Sequence, residues 1–75
     1  TALPLAAPIE ANGARQHYMR AKFVRRDGRR AVEALPSQDS SLTAAFASAD
    51  CLIVRPPYAP AAAEGESVAI LLLSV

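Results

Sequence analysis

"QHYMRAKFVRRDGRRAVEALP", residues 16–36, is where this chain states its fold. From Gln16 to Arg25 the side chains alternate: His17, Met19, Ala21 and Phe23 on one face, Tyr18, Arg20, Lys22 and Val24 on the other. Period two over such a length predicts a half-buried strand. Asp27-Gly28 then separates this run from a second, "RRAVEALP", which ends at Pro36. That dipeptide is hairpin chemistry, because glycine takes positive φ without a Cβ penalty. The chain is thus built on an antiparallel ribbon.

Outward from the hairpin the pattern stays mostly β. "LPLAAPIE" (3–10) is apolar but broken by Pro4 and Pro8, which suits a short edge strand or an extended entry. "ANG" (11–13) is a turn signal. "SQDSSLTAAFASAD" (37–50) changes register: Ser40 or Ser41 can cap a helix, and Leu42, Ala45, Phe46 and Ala49 recur at helical spacing. The expectation there is a helix of about two turns ending near Asp50. "CLIVRP" (51–56) reads as a buried strand, "YAPAAAEGE" (58–66) as a loop, and "SVAILLLSV" (67–75) as the last strand. The predicted fold class is all-β, mainly antiparallel, with one short helix. Phe23, Leu35, Leu42, Phe46, Ile53, Val54, Ile70 and Leu72 are the predicted core.

The same hairpin carries a charge question. Residues 15–30 hold seven of the eight basic side chains. A grip on single-stranded nucleic acid would need a basic stripe interleaved with aromatics that stack on bases. Only Tyr18 is placed for that, and the return strand supplies Glu33 instead of more Lys or Arg. Arg25, Arg26, Arg29 and Arg30 read better as a solvated hairpin tip whose charges blunt an exposed edge. The expectation is no nucleic-acid partner.

Composition limits what remains. Seventy-five residues make a single domain, 1–75, near the lower limit for independent folding. Of the 52% apolar residues, seventeen are Ala, so the core is thin, and a piece of a longer protein is expected. Net charge is +1, which provides no global field toward DNA or membrane. The apolar tail is far too short to span a bilayer as a helix, and no signal peptide is visible; no membrane partner is expected. The single cysteine, Cys51, cannot form an internal disulfide and fits a cytoplasmic setting. At the head of an apolar run it reads as a small buried hydrophobe.

No catalytic set is complete. His17 stands alone, no Cys/His cluster has metal-ligand spacing, and no glycine-rich phosphate loop is present. The best candidate is "SQDSS". Hydroxyls and free backbone N–H groups at a helix start favour an anion, and a nearby Arg20 would complete an oxyanion site. The competing reading is that Ser40 or Ser41 merely caps the helix.

"ANGARQHYMRA", "PSQDSSLTAAFASADCLIVRPP" and "AEGESVAILLL" together resemble the C-terminal domain (domain IV) of the molybdopterin molybdenumtransferase family, the MoeA and gephyrin type. The matching features are Arg15, Tyr18 and Arg20, then Gln38-Asp39-Ser40, Ala49-Asp50, Pro56-Pro57 and Gly65-Glu66. The resemblance implies an all-β domain of bent hairpin ribbons forming an incomplete, β-clip-like barrel. It implies an enzyme, as the full-length protein, that inserts molybdenum from molybdate into adenylylated molybdopterin with a divalent cation such as Mg²⁺. Arg20 and Ser40 would contact the oxyanion, with Arg15, Tyr18 and Gln38 in support. The metal ligands and pterin pocket would come from other domains of the same chain, in a cytoplasmic homodimer, so this domain would not be active alone. Arg20 and Ser40 would then remain partly exposed here. The alternative within the resemblance is a non-catalytic scaffold or partner-peptide-binding module of gephyrin type.

Overall fold

A computed structural model describes residues 1–35 and 49–73. The described chain is five strands: β1 (Ala2–Pro4), β2 (His17–Arg26), β3 (Arg29–Ala34), β4 (Cys51–Arg55) and β5 (Ser67–Leu72). They form one sheet in the order β1-β5-β4-β2-β3, each neighbour antiparallel. The all-β prediction is borne out. The predicted helix falls outside the described residues, as do Leu42 and Phe46 of the predicted core.

The β2–β3 hairpin has the predicted two-residue turn. Arg26 pairs with Arg29, and Asp27 (φ 53°) and Gly28 (φ 76°) both take left-handed backbone. That is the type I′ geometry, whose twist matches the flanking strands. β2 then splits its partners. Its first half, His17–Ala21, pairs with β4, and its second half, Ala21–Arg26, pairs with β3. Ala21 sits at the crossover, fully buried, where the strand has neighbours on both sides. Past that point β4 has ended, so the Phe23 N–H would lose its ladder acceptor. The Asp50 carboxylate replaces it at 2.9 Å, while the Asp50 N–H still bonds the Ala21 carbonyl.

The sheet curls until its ends touch. Just after β1, Leu5 bridges Val32 of β3 in parallel, and the Ala6 N–H donates to the Val32 carbonyl at 2.7 Å. This contact makes the curved sheet an incomplete barrel. Its inside is filled by Leu5, Ile9, Ala21, Val32, Cys51, Ile53, Ala62, Val68 and Ile70, with Leu3, Met19, Phe23 and Ala34 packed against them.

Of the predicted core, Leu35, Ile53 and Ile70 are buried, whereas Phe23 and Val54 are half-buried. Leu72 is a correction: it is 54% exposed. It opposes Cys51 at the last rung of the β4–β5 ladder, where the curl of the barrel no longer covers the strand. Leu5, Ile9 and Ala62 join the core from segments that read as entry or loop. Ile9 and Ala62 bond each other reciprocally at 2.9 and 3.0 Å, an isolated antiparallel bridge.

Candidate functional site

Arg20 lies on β2 opposite Leu52, and its carbonyl accepts the Leu35 N–H at 2.9 Å. That bond places Arg20 beside the point where the chain leaves β3 toward Gln38 and Ser40, which lie outside the described residues. Arg20 is 8% exposed, so the expectation of a partly open arginine is corrected. The strand's outward face is covered at this position. Tyr18, two residues back on the same face, is 48% exposed, and its hydroxyl accepts from the Gln16 side-chain amide. Arg15 is exposed in the bend before β2. The structure therefore groups Arg15, Tyr18 and Arg20 along one short stretch.

The hairpin tip is a surface feature. Arg25 faces Arg30 and Arg26 faces Arg29 directly across the ribbon, two like-charge pairs that only solvation makes tolerable. Arg30 lies over the Phe23 ring at 4.7 Å, and Arg26 approaches Glu64 at 3.7 Å with both side chains more than half exposed. Such an exposed pair contributes little, at most about 1 kcal/mol.

A second buried arginine closes β4. Cys51, Ile53 and Arg55 share one face of this strand, so the period that buries Ile53 also directs Arg55 inward; it is 6% exposed. Its Nη2 donates to the Glu10 carbonyl at 3.3 Å and to the Pro60 carbonyl. Beside it the Asn12 amide donates to the carbonyls of Arg15, Arg55 and Pro56 at 2.8, 3.0 and 2.8 Å. The Asn12 and Tyr58 N–H groups add cross-ties to Ala59 and Gly13. Together they bind the 10–15 bend to the 55–60 loop. Arg55 also lines a groove of about 470 Å³ whose walls include Pro8, Ile9, His17, Met19 and Leu35. This residue escaped the sequence reading, which took Arg55 as the polar end of an apolar run; strict alternation from Cys51 was the signal.

Cys51 is fully buried, its thiol directed at the Ala21 carbonyl at 3.9 Å. Burial, and secondarily the Asp50 carboxylate, pushes the thiol above its ordinary pKa. It is a packing residue, as read, with little thiolate to offer as a nucleophile. Among the described residues no group of three or more His, Cys, Asp or Glu side chains converges on a metal-sized space. Nor is any helix among them long and apolar enough to cross a membrane.

Comparison with known proteins gives one family. The family model described as "MoeA C-terminal region (domain IV)" matches residues 2–73. No curated protein matches the chain.

Proposed function

The chain belongs to the MoeA C-terminal region family, domain IV, and is thus a domain related to molybdopterin biosynthesis; from this premise we propose that it works as the last domain of a molybdopterin molybdenumtransferase. In this reading Arg20 and Ser40 supply contacts to molybdate, the substrate, during insertion of molybdenum into adenylylated molybdopterin. Arg15, Tyr18 and Gln38 support them. The observation that carries the reading is the match over residues 2–73 together with the Arg15–Tyr18–Arg20 stretch on and before β2.

Chain geometry supports it. Leu35 is bonded to the backbone of Arg20, and Ser40 follows Leu35 by five residues. Five residues reach at most about 17–18 Å, a span that allows Ser40 to approach Arg20. A guanidinium and a hydroxyl there would hold an oxyanion by charge-assisted hydrogen bonds. Arg20 is already largely out of water, which strengthens each such bond.

In this reading the divalent cation, Mg²⁺, is held by the other domains. The same holds for the pterin pocket. The domain acts beside further domains of its own chain, in a cytoplasmic homodimer.

The test is molybdenum insertion by the full-length enzyme carrying Ser40→Ala or Arg20→Lys. Both variants should slow insertion, Arg20→Lys the more because Lys lacks the fork that engages an oxyanion bidentately. Normal rates in both would overturn the oxyanion role. A non-catalytic docking module of gephyrin type would instead tolerate both changes and use exposed groups such as Tyr18, Tyr58 and Leu71.

A further inference from the structure

We infer that the groove beside Arg55 is a binding site for a carboxylate attached to a short aliphatic body, on the opposite face of the β2–β4 ladder from Arg20. The inference begins with an unbalanced charge. Arg55 is 6% exposed, and among the described residues no carboxylate lies within ion-pair distance of it; the ion pair they do form is Arg26–Glu64. Two carbonyls occupy Nη2. Nε is buried without an acceptor, and the side-chain hydrogen bonds of Arg55 among the described residues are the two made by Nη2. A buried guanidinium held by carbonyl dipoles alone is costly, since dipoles do not neutralise its charge.

The space next to it has the shape of a ligand site. The groove of about 470 Å³ lies within the usual range for small-molecule pockets. Pro8, Ile9, Met19 and Leu35 give it apolar patches within a lining that is otherwise polar, and His17, opposite Arg55 in the β2–β4 register, lines it too. Glu10 is the acidic side chain on the rim. A neutral ligand would leave the guanidinium charge uncompensated. A bare oxyanion such as phosphate would use the charge but leave the apolar wall wet. An aliphatic carboxylate satisfies both, its charge balancing the guanidinium and its chain along Ile9, Met19 and Leu35.

The groove is also stiffened for the purpose. Asn12 clamps the carbonyls of Arg15, Arg55 and Pro56, so the loops that flank Arg55 are fixed before anything binds. Preorganisation of this kind reduces the entropy lost on binding. The site does not rest on the molybdenum reading: Arg20 is absent from the described lining of the groove.

The test is an NMR titration of the 75-residue chain, isotope-labelled, following the Arg55 Nε–Hε signal and the His17, Asn12 and Met19 resonances. Hexanoate should give saturable shifts at these four residues, in the millimolar range. Hexanamide, the neutral isostere, should bind about tenfold or more weakly, the loss of one charge-assisted contact. Acetate should be weaker than hexanoate, because it leaves the wall uncovered. Glu10→Gln should tighten hexanoate binding by removing the rim's negative charge, and this exposed substitution leaves the fold intact, unlike changes at Arg55. Equal binding of hexanoate and hexanamide would overturn the charge assignment. Phosphate or molybdate shifting the four residues as strongly as hexanoate would overturn the aliphatic one. Shifts confined to the arginines of the hairpin tip would remove the site altogether.

Discussion

Replacing Ile53 with Ala tests the core more sharply than any other single change. Ile53 is 0% exposed at the middle of β4, with Met19 opposite it on β2 and Ile70 opposite it on β5. Truncation removes three carbons, a transfer loss of about 2.4 kcal/mol at roughly 0.8 per methylene. Neighbours on a curled sheet are tied by ladder bonds on both sides and cannot collapse fully, so a cavity cost adds to it. The total should be about 3–4 kcal/mol, within the range for Ile→Ala in packed cores. A 75-residue chain has roughly 4–11 kcal/mol in all. The variant therefore loses about a quarter or more of its stability, and Tm should fall by at least about 12 °C. Ile53→Val should lose about 1 kcal/mol, and Leu72→Ala, at an exposed site, less than about 0.5. Urea denaturation of the four proteins gives the series directly. If Leu72→Ala costs as much as Ile53→Ala, the packing centre lies elsewhere and the curl that exposes Leu72 is wrongly described.

Other expectations follow from the backbone and from Cys51. Gly28→Val should destabilise by about 1–2 kcal/mol, since a β-branched residue must adopt φ 76° in the hairpin turn; thermal melts will show it. Tyr58 is 74% exposed yet holds φ 60°, so Tyr58→Asn should raise stability by about 0.5–1 kcal/mol, read as an upward shift in Tm. Because the Cys51 pKa is raised in the folded chain, the folded state there binds the proton more tightly than the unfolded one. The stability this contributes is complete below the ordinary thiol value near 9.0 and is lost as pH rises through the folded value. Denaturation midpoints should thus drop above about pH 9, and less so in Cys51→Ala. Ellman's reagent at pH 8 should react with Cys51 no faster than the chain unfolds.

The hairpin was legible because its signals are local. Alternation and Asp27-Gly28 lie within a few residues of one another, and a two-residue I′ turn allows one register. What the sequence did not disclose arises from curvature. A sheet that bends back until Leu5 meets Val32 buries residues of the entry segment and uncovers Leu72 at the far end of a strand. Neither outcome follows from the pattern along a single strand. The burial of Arg20 is similar: alternation placed it on the outward face, and that face is covered at this position. Of the candidate site residues, Arg20 was singled out with the serine-rich segment before any resemblance, whereas Arg15 and Tyr18 entered through a spacing shared with a known family, since polar residues on a basic strand carry no chemistry by themselves.

The two buried arginines lie on different faces of one ladder. Both sit on strands that meet in the β2–β4 ladder, three rungs apart, Arg20 opposite Leu52 and Arg55 opposite His17. Odd and even positions on a strand face opposite ways, so the cross-strand pair His17–Arg55 and the residue Arg20 lie on opposite faces of the curl. Arg55 therefore lies on the concave side, where its Nη2 ties the 10–15 bend to the 55–60 loop and its side chain lines the groove. Arg20 serves the convex side, next to the exit toward Ser40. A ligand at one cannot touch the other, yet both depend on the same ladder. Weakening the ladder at its centre, at Met19–Ile53, should disturb both sites together.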